Sequence, residues 1–318
     1  MPTVRPYRHR SARRTLLCSA AALTLPLLLT GCGDDAGATS GEDGTARAYG
    51  SEDVVSSVSE VPSIAALVPA KIRDGGTLRV GSGIGVPPVA FSPEGGGPPR
   101  GVDIDVSEAA ARVLGLEVDR KHVSGASLIT GLEAGRYDVG TANLSVTEER
   151  KQVLDFVLYV TDGAGFAVRE DDPLKKVGDL SQLCGKKVGT GVGSTFETDL
   201  RAAADECAAA GKKPLTVLTY PDAAGHFLAL RQKHVDVLMT TSSVLRYAAE
   251  EQPGLRYVNE LDRKNVGLAL KKGSGLAEPL AQAVNHLIDD GTYARILKKW
   301  NLEAAAVPVS AVNPPATP

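Results

Sequence analysis

Arg150 is the side chain to which the sequence gives the clearest chemical use. It stands three residues after Thr147, a threonine placed to cap a helix, and just beyond the strand pattern Asp138 to Ala142. In open α/β sheets, ligands gather at the carboxyl ends of strands. A guanidinium there can grip a carboxylate through two parallel N–H bonds, and the N–H groups of a helix start favour the same negative charge. The competing reading is a solvated arginine paired with Glu148 or Glu149. A second helix start is written in Ser194-Thr195-Phe196-Glu197, with the S-x-x-E spacing of a capping box. Catalysis finds less support. His122, His226, His234 and His286 show no Ser-His-Asp order and no metal spacing, and glutamates such as Glu148 and Glu149 are ordinary early in helices. No cofactor is implied.

These residues need a frame, and strand and helix patterns alternate on either side of them. Leu78-Arg79-Val80-Gly81 reads as a strand. Val102 to Leu114 has helical apolar spacing and stops at Gly115, a left-handed cap. Glu117 to Val123 is a second strand, Leu128 to Ala134 a helix closed by Gly135, and Asp138-Val139-Gly140 opens a third strand. The order recurs with a strand over Lys187 to Thr190, a helix from Ser194 to about Ala209, and a strand over Thr216 to Thr219. A helix to Lys233 and a strand from Val235 to Met239 complete this second unit. Repeated βαβ units predict an α/β protein with sheets covered on both faces. Leu132 to Val139 echoes Leu230 to Val237, which suggests two similarly built lobes.

The chain has 318 residues, 43% hydrophobic and 23% charged, enough for about two domains. Its net charge is −3 from 35 basic and 38 acidic side chains. Arg5, Arg8, Arg10, Arg13 and Arg14 face no acid before position 32; without those five, 30 basic residues meet 38 acidic ones, a balance of −8. Such an acidic body is a poor binder of phosphate backbones, so nucleic acid is excluded as a partner.

The same arginines precede an apolar run, Leu16 to Leu29, interrupted by Pro26. Fourteen residues are too few for a membrane-spanning helix, and the order of charge, apolar run and small residues is that of a secretory signal over 1–31. Leu29-Thr30-Gly31-Cys32 resembles the lipobox of bacterial lipoproteins. The resemblance implies cleavage before Cys32 and acylation of its thiol, each buried methylene adding about 0.8 kcal/mol of membrane affinity. Arg13-Arg14 weakly resembles a twin-arginine export signal, so the export route stays open. Residues 32–74 are expected to form the anchor and a flexible tether, because Gly33 to about Glu60 is Gly, Ser, Asp, Glu and Ala with few large apolar groups. Residues 304–318 read as an Ala-, Val- and Pro-rich tail. Of four cysteines, Cys184 and Cys207 remain after Cys18 leaves with the signal and Cys32 takes lipid. Outside the cytoplasm two remaining cysteines usually pair, and a zinc pair is the competing reading, without histidines nearby in sequence.

Taken in order, Leu78-Arg79-Val80-Gly81, Pro87-Pro88, Gly101 to Val106, Leu132 to Val139 and Leu144 to Lys151 resemble one family. So do Val153 to Phe156, Cys184 to Gly189, Asp290 to Tyr293 and Lys298 to Trp300. It is the extracytoplasmic solute-binding proteins, family 3, of polar amino-acid ABC importers. The resemblance implies a type II periplasmic-binding-protein fold of two α/β lobes joined by a hinge of two crossing strands. The chain would leave lobe 1 near Thr161 to Phe166 and return near Val266 to Leu270. Lobe 1 would be 75–163 plus 265–303, and lobe 2 164–264. It further implies a monomer that hands a small carboxylate-bearing solute to an ABC importer permease, with closure about the hinge signalling occupancy.

Within that resemblance Arg150 holds the α-carboxylate of the ligand and Ser145 reaches the same group. Asn143 stands where a ligand-contacting glycine is common. Ser194 and Thr195 open the helix that forms the opposite, anion-facing wall. The acids that usually hold the ligand ammonium fall on Gly83 and on Thr241, with Thr240 beside it. The usual aromatic sandwich falls on Val86, Val89 and Gly125. Phe91, Tyr159 or Asp162 are the nearby substitutes. Desolvating an ammonium without a carboxylate is costly, so the acid end of the ligand is provided for and the amine end is not. An enzyme of dehydratase or lyase type on the same fold, and a sensor feeding a membrane receptor, are the alternatives.

Overall fold

The computed structural model describes residues 50–317 other than 51 and 86. The export signal, Cys32 and Val86 lie outside the described residues. Two short helices, α1 (Pro62–Ala65) and α2 (Ala70–Arg73), lead into β1 (Thr77–Ser82), α3 (Val102–Val113), β2 (Glu117–His122), α4 (Gly125–Glu133) and β3 (Val139–Thr141). The long strand β4 (Leu154–Arg169) follows, then β5 (Lys187–Gly191), α5 (Thr195–Ala209), β6 (Thr216–Tyr220), α6 (Ala223–Arg231), β7 (Val237–Thr241) and α7 (Ser242–Glu251). A second long strand, β8 (Leu255–Lys271), returns to α8 (Ala277–Asp289) and α9 (Thr292–Lys299).

The strands lie in the order β2-β1-β3-β8-β4-β7-β5-β6. β1 sits between β2 and β3, all parallel, and β5 sits between β6 and β7 in the same way. The two halves therefore share one construction, as the echo between Leu132 to Val139 and Leu230 to Val237 suggests. Antiparallel β4 and β8 run through both halves. β4 is buried along nearly its whole length, the mark of a strand covered on both faces. Its pairing with β8 shifts register at Leu158/Val160, Asp162/Ala164 and Phe166/Ala167. Bulges bend and twist a strand pair, which lets these two pass from one half-sheet to the other. Gly165 sits in the crossing because a Cβ there would stand 2.6 Å from Cα of Ser242. Opposite the Asp162/Ala164 bulge, β8 crosses at Leu261 to Lys264, slightly before the Val266 to Leu270 stretch expected for the return.

Each half has apolar clusters on both faces. Leu78, Val106, Val284 and Ile296 belong to the one under α3, α8 and α9, and Leu128, Leu132 and Phe156 to the one under α4. In the other half Phe166, Val188 and Leu200 lie under α5, and Leu230, Leu238 and Leu245 under α6 and α7. Cys184 and Cys207 form a disulfide with Cα atoms 5.8 Å apart, pinning α5 to the segment before β5. The pairing, rather than a zinc pair, is what the structure contains.

Two sequence expectations are corrected. The described part of 32–74 is packed, not a free tether. Val54 and Val68 are fully covered in the core beside α8, and the Val61 N–H donates to the carbonyl of Val113 at 2.9 Å. The valines between Val54 and Val68 are spaced by Ser, Glu and Pro, so the composition looks polar while one side of the chain is apolar. The tail is also docked. Val307 is buried, Val312 bridges to Val157, and the Ser310 hydroxyl donates to the carbonyl of Leu158 at 2.6 Å. An extended edge segment needs no periodic apolar pattern to be held this way.

Candidate functional site

The residues after β3 are fastened to β8 from both sides. Ser145 bridges to Val266, the Val146 N–H donates to the carbonyl of Asn265 at 2.8 Å, and the Gly267 N–H to that of Leu144 at 3.1 Å. The chain then turns through Thr147, whose Oγ1 accepts the N–H of Arg150 at 3.1 Å. The hydrogen bond expected of Thr147 is present, but in place of a full helix a three-residue 3-10 turn follows, Arg150–Gln152, with Glu149 at its N-cap position. One Arg150 nitrogen, Nη1, donates to the carbonyl of Ser145 at 2.9 Å. Among the described residues the guanidinium has no carboxylate within ion-pair distance. Lys151, not Arg150, pairs with Glu148, at 2.7 Å. Burial lowers the proton affinity of Arg150, partly offset by the charge of Glu149. A half-buried guanidinium with one anchored nitrogen and no counter-ion is open to an anion.

Across from it stands the start of α5. The Ser194 hydroxyl donates to the Gly191 carbonyl at 2.7 Å and accepts the Glu197 N–H at 3.2 Å, while Glu197 accepts the Gly193 N–H at 2.8 Å. Ser194 is therefore spent on the cap, and what this wall offers is Thr195 with the free N–H groups of the first turn. At the end of β7, Thr240 and Thr241 pair with Gly165 and Ala164 of β4.

These pieces meet. A cleft of about 220 Å³ is lined by Asn143, Ser145, Arg150, Ser194, Thr195, Thr240 and Thr241, with Ile129, Val192 and Phe196 as its apolar walls. Carboxyl ends of strands, the start of α5 and an arginine with no ion-pair partner among the described residues converge there; a larger hollow of about 480 Å³, around Lys71, Tyr137 and Lys271, lies by the first residues of β1, away from those strand ends. Phe91 is not in the cleft. It packs edge-on against Trp300 with ring centroids 5.8 Å apart and pairs with Arg100, so its expected ligand role is corrected to a core one. Tyr159 is also outside the cleft, fully buried and donating to Asp103. Val89 packs beside Phe227 and Val244. Gly83 has no room for an acid, since a Cβ would stand 2.8 Å from that of Ala142.

Asp162 does reach the site. A smaller recess beside the cleft is lined by Asn143, Ser145, Asp162, Asp199, Thr241 and Asp262. Burial raises the Asp162 carboxyl, against the hydrogen bonds of Ser243 and Asn143 that lower it. Sequence reasoning missed Phe196 and Asp199, both placed by the same helix start as Thr195. It also missed Asp103, a buried acid that accepts the Asn143 N–H at 3.0 Å. An Asp inside an apolar helix stretch, Val102 to Val106, was the available signal.

Comparison with known proteins finds relatives that bind amino acids. The arginine-binding protein ArgT of Corynebacterium glutamicum is 31% identical over 258 residues, 80% of this chain and 83% of ArgT. The ABC transporter glutamine-binding protein GlnH of Bacillus subtilis is 31% identical over 213 residues, 65% of this chain and 74% of GlnH. Among solved structures, an ancestral arginine-binding protein bound to arginine superposes with a TM-score of 0.64 at 34% identity, covering 71% of this chain and 98% of that one. All three are named for binding an amino acid, and GlnH as part of an ABC transporter. The profile of the bacterial extracellular solute-binding proteins, family 3, matches residues 78–303, and the chain belongs to that family.

Proposed function

We propose that this protein is the extracytoplasmic binding component of an ABC importer for an amino acid or close derivative, held between lobe 1 (75–163 plus 265–303) and lobe 2 (164–264). The observation that carries the reading is Arg150, a largely desolvated guanidinium lining the cleft with no carboxylate at ion-pair distance among the described residues. It takes the ligand carboxylate together with Ser145 and the N-terminus of α5 at Thr195. Asn143, Thr240 and Thr241 line the rest. Names of relatives that bind arginine, glutamine and cystine favour an amino acid over other small acids. Cys32 carries the lipid that keeps a monomer on the outer face of the cell membrane, within reach of its permease.

A thermal-shift screen of amino acids, opines, betaines and small organic acids tests the reading. A ligand at 100 times its dissociation constant stabilises the fold by about 2.7 kcal/mol. Stabilisation by an α-amino or α-carboxylate compound, with loss of its uptake on deletion, supports the proposal. A screen in which no carboxylate shifts the transition contradicts it.

A further inference from the structure

The C-terminal segment 304–318 follows the stretch matched by the family profile, 78–303, and it is fastened close to Arg150. It starts at the crossing, where Arg263 donates to the carbonyl of Ala304 at 3.0 Å and the Thr161 hydroxyl to that of Ala305 at 3.4 Å. It then joins β4. The Leu158 N–H donates to the Ala311 carbonyl at 3.0 Å. The Asn313 N–H donates to the Phe156 carbonyl at 2.8 Å, and Asn313 Oδ1 accepts the Phe156 N–H at 2.9 Å.

Past Asn313 the bonds pass to two residues beside the ligand-facing turn. The Lys151 ammonium donates to the Pro314 carbonyl at 3.3 Å. Asn265 donates twice, through its side-chain NH2 to Pro315 at 3.0 Å and through its backbone N–H to Ala316 at 3.0 Å. A proline pair suits these donors, because it offers carbonyl acceptors, no N–H and little freedom to lose on docking. Asn265 is buried, and its own carbonyl accepts the Val146 N–H at 2.8 Å. One residue of β8 thus carries Ala316 on its N–H and Val146 on its carbonyl. The tail holds the segment 145–151 at its beginning, through Asn265, and at its end, through Lys151.

That segment has little to hold itself. Its regular part is a single 3-10 turn, Arg150–Gln152, and one such turn is weakly stable alone. Glu148, Glu149, Gln152 and Val153 are exposed, so core packing does not fix the turn. Arg150 leans on the Ser145 carbonyl, within the same segment, so its aim follows that of the segment. Neither Lys151 nor Asn265 lines the cleft, and both can act on a ligand only by position.

Resting on the reading of Arg150 as the holder of the ligand carboxylate, we infer that Pro314 to Ala316 form a strap that positions Arg150 through Lys151 and Asn265. The strap sets the turn before a ligand arrives, and a ligand that meets an ordered guanidinium loses less affinity to ordering it.

The test combines calorimetry with hydrogen exchange of the ligand-free proteins, on wild type, Arg150→Ala, a chain ending at Asn313 and Asn265→Leu. Probes are L-arginine, L-glutamine and L-histidine. Ending at Asn313 removes the three bonds of the strap and keeps the anchors at Val307, Ser310 and Asn313. Asn265→Leu removes the side-chain bond from the full chain. The shorter chain should bind each amino acid that wild type binds about fivefold or more weakly, the scale of ordering one long side chain on binding. Its amides from Ser145 to Val153 should exchange faster, while those of α5 and α8 keep wild-type rates. Asn265→Leu should move both readouts in the same direction, and it decides the matter if the shorter chain does not fold. With Arg150→Ala impaired, unchanged affinity in the strap variants overturns this inference alone, as does weaker binding with unchanged exchange over 145–153. Wild-type affinity in Arg150→Ala overturns the reading of Arg150 beneath it, and a wild type that binds none of the three amino acids overturns both.

Discussion

Asp103, buried on α3, accepts the backbone N–H of Asn143 at 3.0 Å and so ties a core helix to the wall of the cleft. Asn143 has a φ of 47°, and the bond from Asp103 holds it in that left-handed conformation, which asparagine tolerates better than most residues.

That contact has a pH signature. Burial pushes the Asp103 carboxyl up to about 6 from 3.8, against the opposing pull of Tyr159 and Asn143. Between those values the folded protein holds more protons than the unfolded chain, so stability falls as pH rises through the window and levels off above it. Acidification from pH 7 to pH 5 should strengthen the fold through this group by about 1 kcal/mol. Urea titrations at the two pH values should differ less in Asp103→Asn than in wild type. An equal difference in both proteins counts against the assignment.

The disulfide gives a second expectation. Free-thiol titration of unreduced mature protein should find neither Cys184 nor Cys207 reactive. Breaking the bond frees a loop whose ends are 23 residues apart in sequence and should lower stability by about 3 kcal/mol on the chain-entropy model. A denaturation midpoint indifferent to reductant contradicts this.

The docked C-terminal segment makes a third. A chain ending at Ala306 loses the buried Val307, two hydrogen bonds of Ser310 and the bridge from Val312 to Val157. These contacts together stabilise the fold by about 3 kcal/mol or more. Chemical denaturation of the truncated protein measures the loss, and an unshifted midpoint shows the segment to be dispensable.

What could be read in the residues divides along local and non-local lines. The alternating units and the start of α5 were legible because caps, glycine stops and periodic spacing act within a few residues, as in Ser194 and Glu197. Two four-residue helices, Pro62–Ala65 and Ala70–Arg73, show no period to read, so the packed N-terminal segment passed for a tether. Phe91 was misplaced because only the folded chain brings Trp300 against it. The pairing of Asn143, on the turn after β3, with Asp162, inside the hinge strand β4, joins residues 19 apart in sequence, and no spacing rule announces it. Arg150 was legible through both its cap and its family motif, while the identity of the turn around it was not.

The most direct measurement is isothermal titration of the tightest ligand from the screen into wild type, Arg150→Ala and Arg150→Lys at matched melting temperatures. A bidentate contact between the Arg150 guanidinium and the ligand carboxylate predicts that alanine weakens binding by more than about 2 kcal/mol and that lysine recovers only part of it. Affinity unchanged in Arg150→Ala would remove the guanidinium from the binding site and contradict the account.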